Sequence, residues 1–388
     1  MKIADRIKRI QPSITLEMTA KAAELRQSGV DVINLSVGEP DFDTPQNIKD
    51  AAHQAIKDGM TKYTAGSGIP ELKKAIITKL KRDNQLDYNL ENIIVSCGGK
   101  HTLYNACQVL FQKNDEVIIF SPYWVSFPDF IAVTGAKPVV VPTIPEQQYE
   151  PDFSMLEKSI NKNTKGIIIN SPSNPTGGVW GDEAIKRTLS IAKENNLWVF
   201  SDECYESLTY DSTFTSIQKF DINNDKILTF QSCSKTYSMT GWRIGYTAGH
   251  AEIIKAMAKL QSQSTSCPNS IAQYAALEAL SGDQSEILNM KKKFKKRRNH
   301  FVSALNKIKG IQCQEPGGAF YVFPSLEGLI KDNKIKSAWD FCFQLLDEKA
   351  IASVPGRSFG AENNIRFSYA ISLEQIKLAV QRIKETLN

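Results

Sequence analysis

Short apolar runs alternate with amphipathic stretches between Asn92 and Gly249. The runs are rich in β-branched residues and unbroken by polar positions, which is typical of parallel strands buried on both faces. Helical stretches lie between several of them, at Lys100–Phe111 and Glu183–Asn195. The predicted strands are Ile93–Cys97, Glu116–Phe120, Pro138–Val141, Gly166–Asn170, Leu197–Asp202, Ile227–Gln231 and Ile244–Ala248. The pattern predicts an α/β fold with a mostly parallel seven-stranded sheet between helices.

One connection in this pattern is different. Only Ser232–Arg243 separates the last two predicted strands. That is short for a helical crossover between parallel strands. We therefore expect the last strand to run antiparallel to its neighbours.

The last third of the chain has another pattern. A long, charged helical stretch from Ala251 to Ile308 leads to short strands at Ala319–Phe323 and Ile365–Tyr369. Helices are predicted near Lys336–Lys349 and at Leu373–Leu387. These elements indicate a smaller α+β domain.

A chain of 388 residues is too long for one compact core, so two domains are expected. Residues 46–280 form the predicted large domain, and residues 281–388 the small C-terminal domain. Residues 1–45 are predicted to be an N-terminal arm and part of the small domain.

The net charge of +5 arises from one basic run. Its members are Lys291, Lys292, Lys293, Lys295, Lys296, Arg297 and Arg298. A nucleic-acid surface is one interpretation of such a run. No aromatic platform or DNA-binding motif accompanies it, so we favour a solvated helix face and predict no nucleic-acid partner.

Seven cysteines are scattered through the chain without CxxC or metal-type spacing. This usage indicates reduced thiols and no metal site. Met1–Gln11 has no apolar core of a signal sequence, and no apolar run is long enough to span a bilayer. A cytoplasmic location without membrane attachment is expected.

Lys235 is the most informative single residue. It directly follows a predicted strand, in a loop of small polar residues that includes Ser232 and Ser234, with Arg243 downstream. Hydroxyl groups and a guanidinium suit a phosphate dianion. The short SxSK match alone has a structural reading as well; with Gly241-Trp242-Arg243 it points to a phosphate-bearing ligand beside the amine.

A second candidate group is the carboxylate of Asp202, at the end of the predicted strand Leu197–Asp202. A buried carboxylate needs a partner, which is either an arginine or helix N-terminus, or the protonated ring nitrogen of a cofactor. Tyr205 lies close by in the same loop. Each of these two residues alone also has a structural interpretation.

Three further turns follow predicted strands, where α/β sheets bind ligands. Asn174 lies in a proline-stiffened loop and can face an anionic oxygen or simply favour the bend. Gly98 and Gly99, before Lys100, open a helix whose N terminus attracts phosphate. Trp124 can stack on a flat ring or be a core residue.

Together these segments resemble the fold-type I, pyridoxal 5'-phosphate (PLP)-dependent class I/II aminotransferases, most closely the bacterial aspartate aminotransferases. The resemblance covers almost the whole chain. The motifs that carry it are, in chain order, Pro12-Ser13-x-Thr15, Gly38-Glu-Pro-Asp-Phe-Asp-Thr-Pro45, Lys62-Tyr63-Thr-Ala-Gly-Ser-Gly-Ile-Pro70, Ser121-Pro-Tyr-Trp-Val-Ser126, Ser234-Lys-Thr-Tyr-Ser-Met-Thr-Gly-Trp-Arg-Ile-Gly-Tyr246 and Ile365-Arg366-Phe-Ser-Tyr-Ala370.

The resemblance implies a role for each matched residue. Lys235 would form the Schiff base, Asp202 would pair with the pyridine nitrogen, and Tyr205 and Asn174 would bind the 3-oxygen. Trp124 would stack on the ring. The phosphate would be held by Gly98, Gly99, Lys100, Ser232, Ser234 and Arg243, and by Tyr63 of a partner subunit in a homodimer with shared sites.

For the substrate, the resemblance implies that Arg366 binds the α-carboxylate in a pocket with Gly38, Trp124 and Asn174. Lys100 and Thr15 are the candidates for a distal carboxylate. The expected reaction is L-aspartate with 2-oxoglutarate, giving oxaloacetate and L-glutamate by a ping-pong mechanism. The alternatives are aromatic, alanine-like or prephenate substrates, a PLP-dependent C–S β-lyase, and a non-catalytic PLP regulator.

Overall fold

The computed structural model describes residues 3–12 and 14–387, without the side chains of residues 15 and 16. The strands are β1 Ile33–Asn34, β2 Ile93–Ser96, β3 Glu116–Ser121, β4 Lys137–Ile144, β5 Glu150–Pro151, β6 Thr164–Asn170, β7 Trp198–Asp202, β8 Ile227–Ser232, β9 Gly245–Ala248, β10 Tyr321–Val322, β11 Ile351–Ala352, β12 Val354–Pro355 and β13 Ile365–Ser368. The helices are α1 Ile14–Gln27, α2 Gln46–Lys57, α3 Pro70–Lys79, α4 Gly99–Leu110, α5 Phe127–Thr134, α6 Phe153–Ser159, α7 Asp182–Glu194, α8 Cys233–Thr236, α9 Ala251–Ser262, α10 Ser270–Ser281, α11 Ser285–Leu305, α12 Glu327–Lys331, α13 Ala338–Lys349 and α14 Leu373–Leu387.

The central sheet has the strand order β2-β9-β8-β7-β6-β3-β4-β5. Strands β8, β7, β6, β3 and β4 are parallel, which confirms the predicted α/β class. Strand β9 is antiparallel to both β2 and β8, as the short connection before it predicted. The prediction of seven strands was one too few, because the edge strand β5 has only two residues and shows no hydrophobic period.

Both faces of this sheet are buried. Successive side chains of a strand point to opposite sides, and each side packs against helices. On one face Ile119, Ile168 and Phe200 pack in a cluster with residues of α4, α5 and α9. On the other face the neighbouring residues Ile118 and Ile167 pack with residues of α6 and α7. The continuous apolar runs of the sequence thus reflect helices on both sides.

The C-terminal part contains a three-stranded antiparallel sheet in the order β10-β13-β12. Strand β1, from the N-terminal segment, pairs in parallel with β11. The predicted long helical stretch is interrupted twice, so it forms α9, α10 and α11. Its second helix, α10, begins after Pro268, where the Asn269 side chain accepts a hydrogen bond from the Ala272 amide at 2.9 Å.

The basic run lies on α11, but it is not wholly a solvated face. Lys292, Lys293 and Lys296 are exposed, as expected. Arg297 and Arg298 are buried instead, with 9% and 2% of their surfaces exposed. Both guanidinium groups form ion pairs with acidic residues from distant parts of the chain, so they connect α11 to those segments.

The described residues include no membrane-spanning helix, no metal-binding cluster and no disulfide bond. None of their helices combines the length and apolar character that a bilayer crossing requires. Nowhere among them do three or more His, Cys, Asp and Glu side chains converge as a metal-binding set. All seven cysteines are free thiols.

Candidate active site

The carboxyl ends of β6, β7 and β8 lie side by side and form one wall of a cavity of about 1160 Å³. Asn170 and Asp202 are partners in the register of β6 and β7, and Ser232 ends β8. Of the predicted site residues, the cavity is lined by Gly38, Gly99, Lys100, Trp124, Asn174, Asp202, Tyr205, Ser232, Ser234, Lys235, Arg243 and Arg366.

Lys235 lies in the short helix α8 and not in the predicted loop. The Ser232 side chain begins this helix by accepting a hydrogen bond from the Ser234 amide at 3.2 Å. The Lys235 ammonium donates to the Gly38 carbonyl at 2.5 Å. Burial lowers the pKa of Lys235 to about 8, and the nearby guanidinium groups of Arg366 and Arg243 act in the same direction.

Asp202 is a carboxyl group with little solvent contact. Burial raises its pKa to about 6, against the opposing hydrogen bonds from Cys204 and the charge of Lys235. The Cys204 amide donates to Asp202 Oδ1 at 3.3 Å. Asp202 forms no salt bridge with any residue that the structure describes. A cationic partner inside the cavity would therefore favour its ionised form.

Tyr205 is also buried, and its hydroxyl forms a hydrogen bond of 2.8 Å with the hydroxyl of Tyr321. Burial raises the pKa of Tyr205 well above its ordinary value. Tyr205 therefore stays protonated and can donate a hydrogen bond at any physiological pH.

The end of the cavity near α4 is built for an anion. Arg243 donates from Nη1 to the Thr240 carbonyl at 2.9 Å and from Nη2 to the Cys97 carbonyl at 3.4 Å. Gly98 has a φ of 94°, and a side chain there would collide with the Arg243 guanidinium. The α4 N terminus that follows has no side-chain cap from any residue that the structure describes. Guanidinium, helix terminus and serine hydroxyls thus converge on one place.

Arg366 provides a second cationic group on β13, and 3% of its surface is exposed. Nη1 donates to Asn174 Oδ1 at 3.0 Å, and Nη2 donates to the Ser36 carbonyl at 2.5 Å. Its Nε–H is buried and has no hydrogen-bond partner in the described part of the chain. The guanidinium carbon lies 4.7 Å from the ring centre of Tyr321. A buried guanidinium with an unused donor is suited to a carboxylate ligand.

Trp124 and Lys100 lie on another side of the cavity. The Lys100 ammonium is 5.1 Å from the Trp124 ring centre. Burial lowers the pKa of Lys100, and Arg243 lowers it further, while Asp129 opposes both effects. The indole is thus a flat apolar surface beside a cation that has no salt bridge within the described residues.

Three predicted residues are not in the cavity lining. Gly98 lies directly behind it, against Arg243. Tyr63 is 90% exposed, so within this single chain it contacts nothing at the site. The Thr15 side chain, like Ser13, lies outside the described residues.

Tyr321 and Cys204 line the cavity but were not predicted as site residues. Cys204 had a signal in the sequence, since it lies between Asp202 and Tyr205. Tyr321 had none, because β10 comes close to Tyr205 only in the folded chain.

Residues 38–44, which we call the Gly38 segment, are held in place by distant side chains. Arg297 forms a bidentate ion pair with Asp41, with distances of 2.7 and 2.8 Å. Trp242 donates from its indole nitrogen to Thr44 at 2.9 Å. The segment that follows the Gly38 carbonyl, which accepts from Lys235, is therefore held at Asp41 and at Thr44.

The site combines an amine with a lowered pKa, a buried carboxyl group, a phenol and two guanidinium groups. Such a set can bind a ligand that has an anion at each end. Between those ends the Lys235 amine can form a covalent bond with a carbonyl or transfer a proton. Perturbed pKa values in a cavity are typical of catalytic sites.

Comparisons with known proteins agree with this chemistry. The family model described as "Aminotransferase class I and II" matches residues 30–383. An aspartate aminotransferase from Bacillus sp. (strain YM-2) is 45% identical over 98% of each chain. A probable aspartate/prephenate aminotransferase from Rhizobium leguminosarum bv. phaseoli is 47% identical over 98% of each chain. Among solved structures, Thermus thermophilus aspartate aminotransferase with maleate is similar at a TM-score of 0.94, with 38% identity over 100% of each chain.

The lowered pKa predicts unusual reactivity of Lys235. In protein free of small molecules, trace acetylation of Lys235 should rise with a midpoint near pH 8. Ordinary lysines, whose pKa is about 10.4, are less than about 1% neutral at that pH. Quantitative mass spectrometry of peptides labelled between pH 6 and 11 measures the acetylation of Lys235 and of the other lysines at each pH. A Lys235 profile that coincides with the bulk of the lysines would contradict the lowered pKa.

The ion pair between Arg297 and Asp41 predicts a local effect on the Gly38 segment. Arg297→Ala should increase hydrogen–deuterium exchange in residues 38–44 at least about tenfold, because hydrogen bonds between charged groups contribute about 1.5–3 kcal/mol. Lys296→Ala is the matched control, since Lys296 is exposed on the same helix. Equal exchange in both variants would show that the ion pair does not hold the segment.

Proposed function

The chain belongs to the class I and II aminotransferase family, and on that premise we propose that it binds PLP in the cavity around Lys235 and transfers the amino group of L-aspartate to 2-oxoglutarate. The observation that carries the proposal is the cavity itself. It brings together the Lys235 amine, whose pKa is lowered to about 8, the guanidinium groups of Arg243 and Arg366, and the buried carboxyl group of Asp202. The relatives whose names include aspartate support the substrate.

The residues present fit PLP in charge and donor type. Asp202 lacks a cationic partner in the described chain, and a protonated pyridine nitrogen would supply one. Gly98 and Gly99 leave room at the Arg243 end, where a phosphate would find guanidinium, hydroxyl and amide donors. Tyr205 remains a donor because burial raises its pKa, which suits an anionic ring oxygen.

We assign the residues accordingly. Lys235 forms the covalent link, Asp202 holds the ring nitrogen, Trp124 stacks on the ring, and Tyr205 and Asn174 bind the 3-oxygen. The phosphate is held by Gly98, Gly99, Lys100, Ser232, Ser234 and Arg243. Because Arg366 already occupies Asn174 Oδ1, the amide nitrogen of Asn174 is left to donate to that oxygen.

The protein residues supply orientation and proton transfer. PLP, when bound, withdraws electrons from the substrate Cα and so makes its proton acidic. When the substrate amine has replaced Lys235 in the covalent link, the freed Lys235 amine would take up that proton at Nζ and return it to a carbon on the cofactor side. A pKa of about 8 lets Lys235 be neutral in part of the molecules near neutral pH, so the amine is available as a base. The Gly38 carbonyl orients the amine before the reaction.

Arg366 is the proposed site for the α-carboxylate of both substrates, together with Gly38, Trp124 and Asn174. Its Nε–H has no hydrogen-bond partner among the described residues, so it is available to donate to a carboxylate. Lys100 and Thr15 are the proposed partners of the distal carboxylate. Lys100 fits this role because it lines the cavity and has no salt bridge within the described chain.

Prephenate is a second candidate substrate. Several relatives at 45–47% identity over nearly the whole chain have the name aspartate/prephenate aminotransferase. Prephenate has a 2-oxo acid end for Arg366 and a second carboxylate for Lys100. Its ring would have to fit in the same cavity, which has a volume of about 1160 Å³ and is lined in part by Trp124.

A homodimer with shared sites is part of the proposal. Tyr63 is a large aromatic residue with 90% of its surface exposed, which suits a contact with a second copy. We propose that Tyr63 reaches the phosphate of the partner's site. Residues 46–280 would form the cofactor-binding domain, and residues 281–388 with the N-terminal segment the smaller one. The seven free thiols are consistent with the reducing cytoplasm.

The activity is tested by mixing the purified protein with PLP, aspartate and 2-oxoglutarate and following oxaloacetate. We expect turnover with ping-pong kinetics, and a loss of at least about 10²-fold in Lys235→Ala because the proton carrier is absent. Tyrosine, alanine, prephenate with glutamate, and cystathionine are tested in parallel. Absence of aspartate turnover would contradict the substrate, and pyruvate with ammonia from cystathionine would contradict transamination.

Hybrid dimers test the shared site. A dimer of one Lys235→Ala subunit and one Tyr63→Ala subunit, isolated by two affinity tags, has one site in which both residues are intact if Tyr63 acts in the partner's site. It should recover about half of the wild-type activity, while each parental homodimer stays impaired. A hybrid no more active than the Tyr63→Ala homodimer would place Tyr63 in its own subunit's site or outside both.

A further inference from the structure

Tyr321 connects the two halves of the cavity. Its hydroxyl is hydrogen-bonded to that of Tyr205 at 2.8 Å, on the side assigned to the cofactor. Its ring faces the Arg366 guanidinium at 4.7 Å, on the side assigned to the substrate. A side-chain carbon at Gly38 would lie 2.9 Å from the Tyr321 hydroxyl oxygen, so the phenol also contacts the Gly38 segment. Tyr321 is fully buried.

The number of hydroxyl hydrogens in the tyrosine pair determines which tyrosine donates to the other once a ligand is bound. Each hydroxyl has one hydrogen, and the only described hydrogen bond of each is to the other. If Tyr205 donates its hydrogen to the anionic 3-oxygen of the cofactor, it has none left for Tyr321. Tyr321 must then be the donor, and Tyr205 the acceptor, in the bond between them.

Arg366 strengthens this donor. Burial raises the pKa of Tyr321 to about 12, and the positive charge of Arg366 opposes that rise. A cation at the ring face makes a phenol a better hydrogen-bond donor. Strands β10 and β13 fix the arrangement, because Val322 and Phe367, the neighbours of Tyr321 and Arg366, are paired in the antiparallel ladder.

We infer that Tyr321 is a positioning residue that donates its hydroxyl hydrogen to Tyr205 and thereby directs and strengthens the hydrogen bond from Tyr205 to the cofactor's 3-oxygen. The inference rests on the proposed binding of PLP in this cavity. Hydrogen bonds in a chain polarise one another, so the donor at the end of the chain strengthens the bond at its other end.

The inference predicts the direction of a spectroscopic change. The hydrogen bond from Tyr205 stabilises the ionised 3-oxygen, so its weakening favours the protonated form of the cofactor–lysine chromophore. In the holoenzyme without substrate, Tyr321→Phe should raise the pH midpoint of the visible absorbance change by about half a pH unit. Tyr205→Phe, which removes the direct donor, should raise it further.

A double-mutant comparison separates action through Tyr205 from any independent effect. If Tyr321 acts through Tyr205, then Tyr321→Phe should cause no additional shift in a Tyr205→Phe background. Tyr369→Phe is the matched control, since it removes another buried hydroxyl that donates to the Ala319 carbonyl at 3.1 Å. It should leave the midpoint unchanged while costing similar thermal stability.

The role of Tyr321 and the binding of PLP would fail in different measurements. A wild-type midpoint retained in Tyr321→Phe, or a full additional shift in the Tyr205→Phe background, would overturn the role of Tyr321. Failure of the wild-type protein to develop the visible band would instead overturn PLP binding. If Tyr321→Phe fails to fold, difluorotyrosine at position 321 replaces it. That stronger donor should lower the midpoint, and an unchanged or raised midpoint contradicts the inference.

Discussion

The carboxyl ends of three neighbouring parallel strands meet at one edge of the central sheet, and the rest of the site depends on this meeting. Strands β6, β7 and β8 end with Asn170, Asp202 and Ser232. Parallel pairing places these residues side by side, although Asn170 and Asp202 are 32 positions apart in the sequence and Asp202 and Ser232 are 30 apart. The chain that leaves β8 turns at once into the short helix α8, which brings the Lys235 amine in front of Asp202. Strand β9 can return antiparallel after so short a link, and its Gly245 packs against the Gly98–Gly99 turn.

Burial gives these groups their chemistry. Removing a charge from water costs free energy, so the pKa of Asp202 rises and that of Lys235 falls. Each group therefore lies closer to its neutral form than it would in water. Two arginines add positive potential, which lowers the pKa of the lysine further. The same potential attracts ligands with an anion at either end, so binding and acid–base reactivity come from one arrangement of charges.

Features that depend on residues close together in the chain could be predicted from the sequence. The strands and the antiparallel β9 followed from hydrophobic runs and one short link, and Asp202 and Lys235 were found because each directly follows a strand. Elements and contacts that depend on distant parts of the chain could not be predicted in this way. Tyr321 meets Tyr205 only through the β10–β13 sheet. Arg297 was assigned to a solvated face because its partner Asp41 comes from the other end of the chain. Lys235 was placed in a loop because a four-residue helix is too short to show a period.

The proposed covalent link between Lys235 and the cofactor can be detected by chemical trapping. Borohydride reduction of the PLP-loaded protein converts a Schiff base into a stable secondary amine, and peptide mass spectrometry then locates the pyridoxyl group. We expect the label on the peptide that contains Lys235, in a ratio of one per chain. Label on Lys100, the other lysine of the cavity, or absence of any specific label would contradict it.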